Sequence, residues 1–359
     1  MTALTANRRH YPALDGLRGL AILLVAFYHN FGFINYSFFG WIGVDLFFVL
    51  SGYLITDILL KTVNEPGYLR NFFARRVLRI FPLYYLSLIV FLLILPQFDI
   101  FKPKLQFYVD HQWWLWAYLQ NWLFAFNTPT TTRFLNHFWS LAVEEQFYLV
   151  WPFLILLIRK PKYLLGLMLA ILLSVMVFRS LIWINRVESL SYTSLYTFTR
   201  IDGICIGCMV ALLQRISADF LKKNTAIIVT AFAIINFIFY FLNRDNNFPY
   251  LAFIGYTTLA ALIGMLVNEV VNGEAKILNF IFTNFILRFF GKISYGFYIF
   301  HWPVYLVLYP LLMKTIQGFS SPINQILCAL IATAAGILVS VISYYSFEIR
   351  FLQLKKHFV

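Results

Sequence analysis

The chain has 359 residues, of which 61% are hydrophobic and only 12% are charged. This composition excludes a water-soluble globule, which would need far more polar surface at this size, and it indicates an integral membrane protein. The formal net charge of +13 would suit a nucleic-acid-binding protein, but in a membrane protein basic cytoplasmic loops and attraction to anionic lipid account for it.

Hydrophobic stretches long enough to cross a bilayer recur along the whole chain. The predicted spans cover residues 14–34, 38–60, 80–96, 140–158, 163–184, 199–216, 225–242, 250–271, 293–313 and 323–347. The charged N-terminal segment leads into the first span without a small-residue cleavage site, so we expect that span to remain in the mature protein. The sequence therefore predicts an all-α integral membrane protein, a bundle of about ten transmembrane helices that forms a single domain over residues 1–359.

A further apolar stretch, residues 112–126, is short and rich in tryptophan, which is typical of a helix in the membrane interface. If it does not cross and the N-terminus is cytoplasmic, most of the 28 Lys and Arg residues fall in cytoplasmic connections. If it does cross, all later loops invert, and the basic cluster Arg159, Lys160 and Lys162 faces outward, against the positive-inside rule. We therefore expect no crossing there and both termini in the cytoplasm.

The first span carries two ionisable side chains, Arg18 and His29, in the run LDGLRGLAILLVAFYHNFGFI. Ionisable groups inside a membrane are costly, so each needs a pairing or a functional reason. The spacing of the two residues corresponds to about three helical turns, which places both side chains on one face, about 16 Å apart along the axis. Asp15 precedes Arg18 by one turn and can share that face.

Two later spans carry carboxylates at the predicted depth of His29. Asp45 in the second span and Glu144 in the fourth both lie within about two turns of the predicted outer end, and Glu145 is adjacent. A carboxylate beside His29 would orient the imidazole and stabilise its protonated form, as a general base requires. The alternative is that these acids neutralise buried arginines, or that His29 makes only a packing hydrogen bond.

A basic cluster precedes the third predicted span. Arg75, Arg76 and Arg79 lie within about one helical turn, and guanidinium groups bind phosphates bidentately. The alternative is simple anchoring of the span at the cytoplasmic face. The distance of about 16 Å from Arg18 to His29 is of the order of an extended pantetheine arm, so a nucleotide bound at the inner face could deliver a thioester to His29.

Other conspicuous residues predict less. Cys205 and Cys208 have the spacing of metal ligands, but no second Cys or His pair lies nearby, so we interpret them as packing residues and predict no metal. His301 in the ninth predicted span is interpreted as a hydrogen-bonding residue of helix packing. The sequence contains no Gly-rich phosphate loop, HExxH or GxSxG motif.

Five segments together resemble the membrane acyltransferase family 3. They are YPALDGLRGLAILLVAFYH, GVDLFFVLSGYLIT, FFARRVLRIFPLYY, WSLAVEEQFYLVWP and GKISYGFYIFHWP, in the order and spacing of that family. Its members are bacterial inner-membrane O-acyltransferases of surface polysaccharides such as O-antigen, exopolysaccharide, peptidoglycan and Nod factors. The family's Arg-x10-His motif corresponds to Arg18 and His29, its Arg-x-x-Arg motif to Arg76 and Arg79, and the acid of its WSLxxE segment to Glu144.

The resemblance implies transfer of an acyl group, expected to be acetyl, from cytoplasmic acyl-CoA to a hydroxyl of a cell-surface or lipid-linked carbohydrate. The predicted catalytic residues are His29, Asp45 and Glu144, and the sequence leaves direct transfer and a two-step route through acyl-His29 both open. The predicted residues for binding acetyl-CoA are Arg18, Arg75, Arg76 and Arg79. Some family members carry an additional periplasmic hydrolase-like domain, and we expect none here. The alternatives are acylation of a small hydroxyl compound such as a macrolide, or a transporter or flippase of a lipid-linked glycan without acyl transfer.

Overall fold

The computed structural model describes residues 11–127, 133–185, 196–242, 251–272, 275–316 and 320–358. Over these residues the secondary structure is helical and includes no strand, which confirms the predicted all-α class. The α-helices are α1 (Pro12–Asn30), α2 (Ile42–Thr62), α3 (Tyr68–Leu88), α4 (Lys102–Asp110), α5 (Gln112–Trp116), α6 (Gln120–Phe126), α7 (Trp139–Ile158), α8 (Pro161–Ile184), α9 (Thr197–Arg200), α10 (Asp202–Ile216), α11 (Ala218–Leu242), α12 (Tyr256–Asn272), α13 (Lys276–Phe282), α14 (Phe285–Thr315), α15 (Ser321–Ser343) and α16 (Ile349–Leu354).

Several of these helices are lengthened by tighter or wider turns. 3₁₀ turns at Asn35–Trp41 and Asn136–Phe138 lead into α2 and α7. A π-helical segment and a 3₁₀ turn extend α3 to Gln97, and further π-helical segments precede α12 and join α15 to α16. These turns allow long segments to continue in one direction while changing which face they present.

Eight helical segments of the described chain are long and apolar enough to cross a membrane. They are Asn35–Thr62, Tyr68–Gln97, Asn136–Ile158, Pro161–Ile182, Asp219–Phe239, Phe253–Asn272, Phe285–Thr315 and Ser321–His357. The first and sixth predicted spans correspond to α1 and α10, which are 19 and 15 residues long. Both are largely buried among the other helices. The protein is therefore a multi-pass membrane protein, and the count of ten crossings stays a prediction.

Close backbone contact fixes α1 against α14. A Cβ atom on Gly19 would lie 1.9 Å from the carbonyl oxygen of Leu287, and one on Gly291 would lie 1.9 Å from that of Asp15. Only glycine permits so close an approach, as is common where membrane helices pack. Because Asp15 meets the start of α14 while the end of α1 meets a later turn of it, the two helices run parallel.

The helix directions define two ends of the bundle. We call the end at which α1 begins the proximal end and the end at which α1 finishes the distal end. The 3₁₀ turn before α2 lies at the distal end, since Gly40 packs on Tyr28 near the end of α1. Basic residues of α3 and the start of α14 consequently lie toward the proximal end.

The course of α7 shows how the tryptophan-rich stretch is accommodated. Ser51 and Thr56 of α2 bond to Glu144 and Trp151 of α7, so the two helices run in the same direction. Among the described residues between them, only α3 with its extension is long enough to cross a membrane, which leaves the connection from α3 to α7 at the distal end. Within it, the predicted interfacial stretch forms α5 and α6, of 5 and 7 residues, both too short to span a bilayer. The interfacial placement predicted for residues 112–126 agrees with this course.

Candidate functional site

A polar cavity opens among α1, α2, α3, α7 and α14, and its free volume is about 90 Å³. A single water needs only about 10–15 Å³, so the cavity has room for a small polar ligand group. We call it the arginine pocket. Its lining residues are Arg18, Phe47, Ser51, Arg76, Arg79, Ile80, Ser140, Leu141, Glu144, Glu145, Tyr148, Ser294, Tyr295 and Tyr298. Three predicted donor-binding arginines therefore meet in one cavity.

The three arginines of the pocket differ in the contacts that they make. Arg18 forms an ion pair with Asp15 at 3.0 Å, one turn earlier on α1. The guanidinium of Arg76 lies over the ring of Tyr148, 5.6 Å from its centroid. Among the described residues, neither Arg76 nor Arg79 belongs to an ion pair. Neither guanidinium group is held in a direct ion pair within the described ranges, although Glu144 and Glu145 line the same cavity, so both can still bind an anionic ligand.

Glu144 is held by hydroxyl groups. The Ser51 hydroxyl donates a 2.7 Å hydrogen bond to Glu144 Oε1, and the Tyr148 hydroxyl donates to Glu144 Oε2 at 3.4 Å. This fixes the carboxylate in the arginine pocket. The predicted placement of Glu144 beside His29 is wrong, because the helical segment begins at Asn136 and the 3₁₀ turn already carries His137 to the level of His29. Glu144 then lies about 10 Å farther along the helix axis.

A second cluster, at the distal end, consists of three histidines. His29 Nδ1 lies 2.8 Å from His301 Nε2, and the two rings are nearly parallel, with centroids 5.1 Å apart. The His137 ring is 6.2 Å from that of His29 and 5.3 Å from that of His301. Trp302 covers His29 with its ring centroid 5.0 Å away. We call His29, His137 and His301 the histidine centre.

Tyr298 separates the arginine pocket from the histidine centre and contacts both. It lines the pocket, its hydroxyl lies 2.7 Å from Ser140 Oγ, and it also donates to the carbonyl of His137. Its ring centroid lies 5.9 Å from that of His301. The basic cavity and the imidazoles thus share one wall, although Arg18 and His29 lie three turns apart on α1.

Asp45 is not a partner of His29. Its Oδ1 accepts a 2.6 Å hydrogen bond from Arg200 Nη2, and the two side chains are 1% and 3% exposed. Arg200 also lies over the ring of Tyr256, 3.7 Å from the centroid. The sequence predicted how deep Asp45 lies in the membrane but not which helix its side chain faces. In the structure it faces α10, where Gly203 packs beside it. The expectation that a carboxylate orients His29 is therefore wrong: its hydrogen-bond partner is His301.

The basic cluster of α3 is divided between two cavities. Arg76 and Arg79 face the arginine pocket, whereas Arg75 donates a 2.9 Å hydrogen bond to the carbonyl of Phe358 near the C-terminus. Arg75 and Arg76 also line a smaller neighbouring cavity with Tyr68. The predicted basic cluster therefore lies at the proximal end, but Arg75 does not line the cavity that contains Arg18.

No group of three or more His, Cys, Asp or Glu side chains in the described part of the chain could hold a metal ion. Cys205 and Cys208 are both buried, and the Cys208 thiol donates to the carbonyl of Gly52 at 3.7 Å. They lie where α10 packs closely on α2.

Sequence reasoning missed two members of the histidine centre. It interpreted His301 as a packing residue and did not single out His137. The available signal was that both residues adjoin the quoted segments, His301 within GKISYGFYIFHWP and His137 just before WSLAVEEQFYLVWP. The proximity of His137, His301 and His29 depends on three helices that are distant in sequence.

Comparison with known proteins gives one family. The model of acyltransferase family 3, described as an acyltransferase domain, matches residues 11–345. The peptidoglycan O-acetyltransferase OatA of Listeria monocytogenes is 31% identical over 343 residues, which is 89% of this chain and 53% of the relative. YrhL of Bacillus subtilis, named as a candidate peptidoglycan O-acetyltransferase, is 31% identical over 89% of this chain and 51% of its own length.

A Staphylococcus aureus protein, named as a candidate O-acetyltransferase, is 33% identical over 82% of this chain and 51% of its own length. The chain thus spans about half the length of the curated relatives it matches. No solved structure matches it.

Proposed function

Because the chain belongs to acyltransferase family 3, a family of membrane acyltransferases, we propose that it moves an acetyl group from acetyl-CoA to a hydroxyl of a cell-surface or lipid-linked carbohydrate. We place it in the bacterial inner membrane. The observation that carries the proposal is the shared wall between the arginine pocket and the histidine centre, formed by Tyr298. The printed names of relatives make peptidoglycan the first acceptor to test.

The donor enters from the proximal end. Arg76 and Arg79 take no part in the ion pairs found among the described residues. Guanidinium groups bind phosphates, such as those of coenzyme A, through paired hydrogen bonds. Arg18 then lies where the thioester arm of the donor enters, about 16 Å along α1 from His29. Glu144 keeps its carboxylate on Ser51 and Tyr148, which limits its competition for the arginines. Arg75 contributes to the rim of the neighbouring cavity.

The acceptor approaches from the distal end. His29 is partly exposed there, between Trp302 and Tyr28, and Tyr28 is itself 37% exposed. Aromatic side chains offer large amphipathic surfaces on which a sugar ring can pack. The acceptor and donor therefore reach the histidine centre from opposite ends of the bundle.

In the transfer step His29 acts as the general base. It accepts the proton of the carbohydrate hydroxyl as that oxygen attacks the thioester carbonyl, forming the ester C–O bond. The C–S bond of the thioester breaks, and the leaving CoA thiolate takes up the proton, so that free CoA and the acetylated sugar are the products. Asp45 contributes through the buried ion pair with Arg200, which stabilises the helix packing around the site.

The test uses purified protein in lipid nanodiscs with acetyl-CoA labelled in the acetyl group and fragments of cell-wall glycan. Label should appear on the glycan in step with CoA release, and His29→Ala should lose both signals. Mass spectrometry of surface glycans from a deletion strain and its complemented parent gives the acceptor. Movement of a lipid-linked glycan across the membrane without CoA release would contradict the proposal and favour a flippase, and label found only on small soluble hydroxyl compounds would contradict the carbohydrate acceptor.

A further inference from the structure

His301 makes contacts that leave it only one neutral tautomer. Its Nδ1 lies 2.9 Å from the carbonyl oxygens of both Phe297 and Tyr298. Carbonyl oxygens only accept hydrogen bonds, so Nδ1 must carry the proton. In a neutral imidazole the other nitrogen, Nε2, then has a free lone pair and can only accept.

That assignment determines the state of His29. His29 Nδ1 lies 2.8 Å from His301 Nε2, and a hydrogen bond at this distance needs one donor and one acceptor. Because His301 Nε2 is the acceptor, His29 Nδ1 carries the proton. The lone pair of neutral His29 is then on Nε2, the nitrogen farther from the backbone, and the described residues provide no hydrogen bond to that atom.

The neutral state of His301 follows from its surroundings. Its side chain is completely buried, and no ion pair in the described ranges includes it. The two carboxylates predicted near His29 are held elsewhere, Asp45 by Arg200 and Glu144 by Ser51. A buried imidazolium without a counter-ion would be strongly unfavourable.

We propose that His301 is a positioning residue that fixes the Nδ1–H tautomer of His29 and so presents His29 Nε2 as the proton acceptor. This rests on the proposed function, in which His29 is the general base. The chain of bonds runs from two main-chain carbonyls of α14 through His301 to His29 on α1. It has the logic of a triad in which a third group holds the base in one tautomer, with a neutral imidazole in place of the usual carboxylate.

The direct test is the tautomer itself. Nitrogen NMR of protein labelled with ¹⁵N-histidine in nanodiscs distinguishes a protonated from an unprotonated ring nitrogen. The signals of His29 are assigned by their loss in His29→Gln. Wild-type His29 should show a protonated Nδ1 and an unprotonated Nε2. A protonated Nε2 with a bare Nδ1 would overturn the proposal, whether or not any transfer activity is found.

Substitutions at His301 separate positioning from bulk packing. In His301→Gln the amide oxygen can occupy the place of Nε2 and accept from His29, whereas the side chain of His301→Asn is too short to do so and His301→Phe keeps the ring without an acceptor. His301→Gln should retain most of kcat, while the other two should lose about tenfold to a hundredfold or more of it. The KM for acetyl-CoA should remain near the wild-type value in all three.

The same NMR measurement on the variants completes the test. His301→Phe should give a mixed or Nε2–H tautomer of His29, and His301→Gln should restore the Nδ1–H form. Full kcat in His301→Phe, or an unchanged tautomer in that variant, would overturn the proposal. A correct tautomer pattern with no acetyl transfer by the wild-type protein would instead refute the proposed function, so the two failures are distinguishable.

Discussion

His29 is the residue on which the proposed transfer depends most directly. His29→Ala should abolish acetyl transfer while the protein still inserts and folds, because the side chain is only partly buried and its main role is proton transfer. Acetylation of surface glycan in cells, measured by mass spectrometry at matched protein levels, checks this. His111→Ala is the control, since the one side-chain hydrogen bond of His111 to the described residues is with the Phe107 carbonyl, one turn earlier. Wild-type acetylation in the His29 variant would exclude His29 as the base.

Arg76 and Arg79 make a separate prediction about the donor. Arg76→Ala and Arg79→Ala should each weaken acetyl-CoA binding by about 1.5–3 kcal/mol, the range of a hydrogen bond to a charged group. Titration of CoA into protein in nanodiscs measures this, and affinity should fall as salt is added. Arg70→Ala is a matched control on the same helix, because Arg70 is exposed and does not line the arginine pocket. Unchanged affinity in both variants would remove the phosphate role.

Asp45 leads to a prediction about stability. Asp45→Asn should lower the free energy of unfolding by about 3–5 kcal/mol, because Arg200 would be left as a buried charge without its partner. The double variant Asp45→Leu with Arg200→Met removes both charges and should recover much of that loss. Thermal unfolding of the detergent-solubilised protein provides the comparison. An unaltered melting temperature together with lost transfer in Asp45→Asn would support the catalytic role that the sequence suggested.

At the scale of helices, the spacing of α1 and α14 sets the distance between His29 and His301. Gly291→Ala should destabilise the protein and reduce transfer, since the added Cβ would meet the Asp15 carbonyl oxygen at 1.9 Å and force the helices apart. Gly166→Ala on α8 is the control, because nothing lies within 4 Å of an added Cβ there. It should be neutral or stabilising by up to about 1 kcal/mol. Equal melting temperatures for the two variants would contradict this account of the packing.

The limits of the sequence are clearest at this scale. Hydrophobic length predicted most of the crossing helices, and charge counting predicted that residues 112–126 do not cross, which agrees with the parallel course of α2 and α7. The sequence pattern also predicted the helix, α1, that contains both Arg18 and His29. It could not say which neighbour each face meets. Asp45 was therefore predicted to lie beside His29, but in the structure it pairs with Arg200.

Counting residues from the predicted end of a span also gave the wrong depth in the membrane for Glu144. The fourth predicted span began at residue 140, whereas the helical segment begins at Asn136, and this shift moves Glu144 from the histidine centre to the arginine pocket. His137 and His301 were not recognisable as partners of His29, because no local pattern brings three distant helices together. The family motifs indicated which residues matter, and the tertiary contacts determine which of them act together.

For the whole molecule, the proposal requires the proximal end to face the cytoplasm, where acetyl-CoA is made. Single cysteines in a background without Cys205, Cys208 and Cys328 test this with a membrane-impermeant thiol reagent on intact spheroplasts. The sites are exposed positions at both ends: Asn64→Cys, Asn284→Cys and Lys356→Cys at the proximal end, and Lys102→Cys and Ser321→Cys at the distal end. Only the two distal positions should react before the membrane is permeabilised.

The opposite pattern would place the arginine pocket on the outer side, out of reach of cytoplasmic acetyl-CoA, and the proposed direction of transfer would fail. A mixed pattern, with Lys102→Cys labelled and Ser321→Cys protected, would contradict the parallel arrangement of α1 and α14, because Ser321 is distal only if α14 ends at the same end of the bundle as α1. With the expected pattern, donor and acceptor approach His29 from opposite sides of the membrane. The thioester end of acetyl-CoA then reaches His29 past the wall at Tyr298 that separates the arginine pocket from the histidine centre, and only the acetyl group passes on to the acceptor.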